Sequence, residues 1–259
     1  MPVFELTLVD THAHLTEPSF DRDRVEVLEK ARRAGVRAIV SVSEDLADVQ
    51  KNLALASRHP ELKPAAGLYP AHLDWDQARA VAELIRRECS RLVAVGEVGL
   101  DHWVVRDEAG RELQKKIFGL FVDLAAELEL PLNVHSRSAG REAVAFLLHK
   151  GAKKVQLHAF DGKASSALPA VEAGYFFSVP PSVVRSRQKQ KLLGQLPLSC
   201  LLLETDSPVL GAAQGERNEP ANLAVALDAI AEMKGESRQH VLETVLENTV
   251  RLYGEGRLF

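Results

Sequence analysis

The stretch LNVHSRSAGREAVAFLLHKGAKKVQLH, residues 132–158, holds one complete strand–helix–strand cycle. Leu132–His135 reads as a strand, Gly140–Lys150 as a helix and Lys154–His158 as the next strand. Strands alternating with helices imply a parallel sheet. Both strands of this cycle end on a histidine.

The same cycle repeats in both directions. Upstream, strand character falls on Leu6–Asp10, Val36–Val42, Lys63–Gly67 and Leu92–Val95. Helical spacing falls on Asp21–Ala34, Asp45–Arg58, Trp75–Cys89 and Glu112–Glu129. Downstream come the helix Ala164–Ala173, the strand Tyr175–Val179, the helix Arg185–Leu196 and the strand Cys200–Glu204, before two closing helices at Ala221–Lys234 and Arg238–Leu252. Eight such units in 259 residues, with no long linker between them, match the size of a (β/α)8 TIM barrel in one domain spanning residues 1–259. An open doubly wound sheet is the competing architecture. It loses its best argument because no Gly-x-Gly-x-x-Gly follows the first strand.

Composition narrows the function. The chain is 46% hydrophobic and 26% charged, as ordinary globular proteins are. No apolar run approaches the roughly 20 residues of a membrane helix. Met1–Asp10 lacks the pattern of a secretion signal, so a cytoplasmic protein is expected. Thirty-two basic residues against 36 acidic ones give a net charge of −4. That field is wrong for a nonspecific nucleic-acid coat. A phosphodiester would have to be handled locally, by cations and a few arginines in a cleft. Two cysteines far apart in sequence, Cys89 and Cys200, argue against a disulfide scaffold, and the apolar surroundings of Cys200 predict a buried, inert thiol.

Chemistry-bearing residues gather at the carboxyl ends of the expected strands, the face on which this barrel builds its active sites. His12 and His14 follow the first strand, Glu97 the fourth, His135 the fifth, His158 the sixth and Asp206 the eighth. Residues two apart in an extended segment point to one side, so His12 and His14 can reach one ion. A lone His-x-His means little; four of the nine histidines and two carboxylates on one rim mean more. Such ligands suit Zn²⁺, Mn²⁺ or Mg²⁺, and Glu97 is placed to bridge two of them. Asp206 reads as a ligand, a general base, or both. Asp10 either orients an imidazole or simply ends a strand, and Glu204 either supports the site or is solvated. Arg137, Arg141 and Arg217 are candidate phosphate grips, with Arg141 better read as a solvated helix residue.

The set Asp10-Thr-His-Ala-His14, Gly96-Glu-Val-Gly-Leu-Asp101, His135-Ser-Arg137, His158-Ala-Phe-Asp-Gly162, Leu203-Glu-Thr-Asp-Ser-Pro208 and Arg217-Asn-Glu-Pro220 resembles the TatD family of metal-dependent deoxyribonucleases. The stretches His135–Arg141 and Gly174–Pro181 resemble its branch called TatD-domain-containing protein 3. The resemblance implies an amidohydrolase-like barrel, divalent-metal hydrolysis and DNA as substrate. It makes His12, His14, Glu97, His135, His158 and Asp206 the metal ligands, with Glu97 bridging, and so makes Glu97 and Asp206 the expected catalytic pair. Other metallohydrolases on this fold use a carboxylated lysine for the bridge; Val95-Gly-Glu97 stands there instead. One position departs from the pattern. After the third strand the family has Gly-x-His-Pro, whereas this chain has Gly67-Leu-Tyr-Pro70. Tyr69 is then expected to donate a hydrogen bond to a phosphate oxygen, with His72 as a partial substitute for the missing imidazole.

The expected function is therefore metal-dependent cleavage of DNA, single-stranded or from an end, by a monomer. Aromatic residues are only 5% of the chain, too few for an extended stacking platform, although Tyr69, Trp75 and Trp103 could stack a terminal base. Two alternatives stand beside it: a hydrolase of small amides or esters on the same barrel, and a metal-binding protein with little turnover.

Overall fold

The computed structural model describes residues 7–259. Eight parallel strands are hydrogen-bonded in chain order: β1 (Leu8–Ala13), β2 (Val36–Ser41), β3 (Leu62–Ala66), β4 (Ala94–Gly99), β5 (Leu132–His135), β6 (Val155–Leu157), β7 (Phe176–Val179) and β8 (Leu201–Leu203). Between them run α1 (Arg24–Arg33), α2 (Leu46–Ala56), α3 (Trp75–Glu88), α4 (Glu108–Glu127), α5 (Gly140–His149), α6 (Ala164–Glu172) and α7 (Arg187–Gln195), and α8 (Leu223–Lys234), α9 (Arg238–Tyr253) and the short α10 (Glu255–Leu258) follow β8. The barrel reading holds. Leu6, where the first strand is expected to begin, lies outside the described residues.

The strand period of two sorts side chains onto the two faces of the sheet. Leu8, Ile39, Ala66, Val95, Phe177, Leu201 and Leu203 pack in the larger core. Their neighbours Val9, Ala38, Val40, Ala65, Ala94, Phe176 and Leu202 form a second cluster with Leu252, Tyr253 and Leu258. Above that apolar layer the strands enclose polar groups. Gln156 donates to Thr11 and Ser178, Ser178 donates to Glu204, and the Tyr253 hydroxyl of α9 donates to Gln156. Every link is buried, so each must be satisfied to be tolerated.

The seam between β1 and β8 is stitched by side chains. The Asp10 carboxylate accepts from the Thr205 amide at 2.8 Å and the Thr205 hydroxyl at 2.5 Å, while the Thr11 hydroxyl donates to the Leu203 carbonyl. Asp10 therefore neither orients an imidazole nor merely ends a strand; it ties the two strand ends together. Burial pushes its carboxyl up to about 8 even though the Thr205 bonds oppose that shift.

Two strands run further than their sequences suggest. Pairing of β4 with β5 slips between Val95 and Val98 and resumes at Val98 opposite Val134, so Glu97 lies inside the strand. Pairing of β1 with β2 slips between Asp10 and Ala13, which places His12 within β1. Such irregularities re-aim side chains, and they fall where the candidate ligands sit.

Candidate metal centre

A cavity of about 440 Å³ opens at the carboxyl end of the barrel, bordered by His14, Glu97, His135, His158 and Asp206. His12 lies buried beneath it. The Glu97 carboxylate is at the centre. Its Oε2 faces His14 Nε2 at 3.4 Å and His12 Nε2 at 3.9 Å; its Oε1 faces His135 Nδ1 at 2.6 Å and His158 Nε2 at 2.9 Å. Asp206 Oδ1 stands 3.5 Å from the Nε2 atoms of both His12 and His14. All six residues singled out in the sequence thus meet in one place.

Each half of the site presents nitrogen to nitrogen. His12 Nε2 lies 3.2 Å from His14 Nε2, and His135 Nδ1 lies 3.1 Å from His158 Nε2. Imidazole nitrogens turned this way need a proton or a cation between them. For His12 the tautomer follows from its surroundings. Asn133 Nδ2 donates to the Thr11 carbonyl, so Asn133 Oδ1 must accept, at 2.8 Å, from His12 Nδ1. That leaves the Nε2 lone pair bare and aimed at Glu97 and His14. His135 is held in the same manner, its Nε2 donating to Asp101 Oδ2 at 3.0 Å. His158 Nδ1 has Glu204 Oε2 3.8 Å away.

The electrostatics agree with the geometry. Burial works against the Glu97 carboxylate, yet His158 and His135 hold its pKa well below the usual range. Burial and the nearby His158 push His12 down to about 3. Burial also opposes charge on His14 and His135, but the carboxylates win: Asp206 and Glu97 lift His14 to about 10, and Glu97 and Asp101 lift His135 to about 9. The site draws protons onto two imidazoles to balance buried carboxylates. His12, His14 and Glu97 form one set of ligand atoms within 4.8 Å of one another, and Glu97, His135 and His158 form another. Nitrogen and carboxylate donors at this spacing fit divalent cations.

The backbone turns abruptly beneath these groups. Asp206 has φ 54°, Ala159 φ 41° and Ser138 φ 54°, left-handed values that non-glycine residues seldom adopt. Each lies one to three residues beyond a strand end or candidate ligand, where the chain must leave the barrel while its side chains stay on the rim.

Of the four expected substrate contacts, Tyr69 and Arg137 border the cavity. The Tyr69 hydroxyl donates to Asp101 Oδ2 at 2.9 Å, and its pKa is raised by burial and by Asp101. Its proton is thus already committed to the carboxylate that orients His135, so it supports that ligand instead of presenting a free donor to phosphate. His72 and Arg217 fall outside the cavity. His72 is exposed, with its ring 6.2 Å from that of Tyr69. Arg217 spends its guanidinium on Asp23 at 2.5 Å, Glu219 at 2.9 Å and the Ser19 carbonyl at 2.6 Å, over the Phe20 ring. It is a clamp between the β8 loop and the start of α1. Trp75 also leaves the rim, packing on the core under the Lys116 ammonium, whereas Trp103 stays exposed with the Arg137 guanidinium 5.1 Å from its ring. Arg141 is solvated and paired with Glu142.

Four supporting residues escaped the sequence reading. Asn133 stands two residues before His135 and by strand alternation shares its face. Asp101 closes a motif whose glutamate alone drew attention. Glu44, whose Oε1 is 3.5 Å from His14 Nδ1, lies just past β2, the position that marks the others. Lys189 borders the cavity from α7 and carried no signal at all. Glu204 is fully buried and accepts from the Ala159 amide and the Ser178 hydroxyl; burial raises it to about 7. Of its two readings, the supporting one holds.

A parallel eight-stranded barrel with a histidine–carboxylate centre on its carboxyl rim defines a hydrolase of the metal-dependent barrel class. The model of the TatD-related DNase family matches residues 9–254, and the chain belongs to that family. It is 44% identical to the deoxyribonuclease TATDN3 of Homo sapiens over 262 residues, with 96% of each chain covered. It is 30% identical to the uncharacterized metal-dependent hydrolase YabD of Bacillus subtilis, over 95% of this chain and 98% of that one. Among solved structures it is similar to YJJV, a TatD homologue from Escherichia coli, with a TM-score of 0.88, 28% identity and coverage of 95% and 97%.

Proposed function

We propose that this protein is a metal-dependent deoxyribonuclease that cleaves phosphodiester bonds in DNA, with single strands or strand ends as substrate. The carrying observation is Glu97, whose two oxygens face two separate histidine pairs, His12 with His14 and His135 with His158. On this reading His12, His14, Glu97, His135, His158 and Asp206 would hold divalent ions, two of Mg²⁺, Mn²⁺ or Zn²⁺. When bound, such ions polarise a phosphoryl oxygen and lower the pKa of the attacking water. The chain's own part is to hold lone pairs inward through Asn133 and Asp101, and to keep Asp206 ionised as the acceptor of the water's proton. Arg137, exposed beside the cavity, grips phosphate. The name carried by the human relative supports DNA as the substrate.

We read the chain as one catalytic domain acting as a monomer, for which light scattering should give a mass near 28.4 kDa. Among the described residues no helix is long and apolar enough to cross a membrane. The unpaired Cys89 and Cys200 support a reducing compartment such as the cytoplasm.

The test is hydrolysis of an end-labelled single-stranded oligonucleotide in EDTA, Mg²⁺, Mn²⁺ and Zn²⁺, with Glu97→Ala as control. A ladder that requires both the ion and Glu97 is expected. Intact oligonucleotide under every ion, with the ions bound, would move the reading to a hydrolase of small amides or esters.

A further inference from the structure

Four carboxylates, Glu44, Glu97, Asp161 and Asp206, border the cavity beside the imidazoles of His14, His135 and His158, and Arg137 and Lys189 are the arginine and lysine among its lining residues. Arg137 projects from the β5 loop. Lys189 comes from the first turn of α7, whose cap Ser186 accepts from the Lys189 amide. Its side chain also borders a small cavity walled by Phe160, Phe177, Leu192 and Leu193, apolar surroundings suited to the methylene stem. The ammonium reaches the residue next to His158, donating to the Ala159 carbonyl at 2.9 Å.

An ammonium has three donors. Among the described residues that carbonyl is the one hydrogen-bond acceptor of the Lys189 ammonium. Asp161, the nearest acid on the same loop, accepts from the Ser138 amide instead. Arg217, by contrast, has its guanidinium paired with the carboxylates of Asp23 and Glu219. The Lys189 ammonium is anchored by one bond and keeps two donors beside a cavity that is proposed to take a polyanion.

We propose that Lys189 binds a backbone phosphate of the DNA strand next to the one being cleaved. The inference rests on the deoxyribonuclease reading and deepens it: the site then recognises a chain of phosphates, with Lys189 and Arg137 both lining its cavity. A competing role is purely structural. Lys189, with Gln188 donating to the Asp161 carbonyl, would merely staple the loop after β6 to α7.

The two roles separate by salt dependence. Each phosphate neutralised on a single strand adds about 0.7 to the slope of log K against log salt. Fluorescence anisotropy of metal-loaded protein with a labelled, cleavage-resistant phosphorothioate single strand, between 50 and 200 mM salt, gives that slope as a conventional range for such titrations. Lys189→Met should weaken binding about tenfold and flatten the slope by about 0.7, and Lys189→Arg should retain the wild-type slope. A Lys189→Met slope equal to wild type, whatever happens to affinity or melting temperature, would overturn the inference and leave the staple. Should Lys189→Met not fold, a Lys189→Gln slope decides in the same way. Wild-type protein that binds no strand at all would overturn the deoxyribonuclease reading and this inference with it.

Discussion

Asn133 settles which nitrogen of His12 faces Glu97, and it does so without touching the cavity. Its amide group is committed to the Thr11 carbonyl, which leaves its oxygen to fix the imidazole. Groups of this kind are worth about 10- to 100-fold in metal affinity. Asn133→Leu is therefore expected to lower affinity for Zn²⁺ by about that factor, as measured by competition with a chromogenic chelator. Unchanged affinity would mean that His12 orients itself. The convergence of the six candidate ligands was legible because histidines and acids at strand ends have few other reasons to be there. Asn133 was not, because an asparagine inside an apolar strand has no period or motif of its own. Tyr69 was legible as a departure from the family pattern, yet its partner was not: only the fold brings Asp101 to its hydroxyl.

At the scale of elements, strand ends carry the site and glycines let the strands approach. Gly99 closes β4 at φ 147°, and a Cβ there would lie 2.0 Å from the His135 carbonyl oxygen. Gly67, just beyond β3, is equally tight, 2.4 Å from the Glu97 carbonyl oxygen. Gly99→Ala should destabilise the protein by about 2–4 kcal/mol through backbone displacement and strain, seen as a lower midpoint in urea with an unchanged slope. A neutral effect would show that β4 and β5 tolerate separation at the site. Element order and type were readable from alternating strand and helix periods, and β5 was bounded correctly. The ends of β1 and β4 were not, since the pairing slips that carry them through His12 and Glu97 depend on neighbouring strands.

The whole molecule divides into an apolar floor and an upper barrel of hydrogen-bonded polar groups beneath the candidate ligands. That division also fixes the fate of the thiols. Cys200 is buried, donates to the Pro197 carbonyl, and has its pKa pushed up to about 12, chiefly by burial. Raising a thiol's pKa lowers its thiolate fraction at any given pH, so Cys200 stays protonated at neutral and mildly alkaline pH. Iodoacetamide at about pH 8, near the ordinary thiol pKa, is expected to label the partly exposed Cys89 alone in the folded protein and both cysteines after denaturation. Rapid native labelling of Cys200 would contradict the packing around β8.

We propose that Glu97 joins two cations in one site. It is tested by metal content after dialysis against Zn²⁺ or Mn²⁺, measured by elemental analysis alongside circular dichroism. Wild-type protein should hold two ions per chain. Glu97→Gln, which keeps the volume but removes the charge facing both histidine pairs, should lose them while keeping the wild-type spectrum. Full metal content in the variant, or no bound ion in the wild type, would contradict the account.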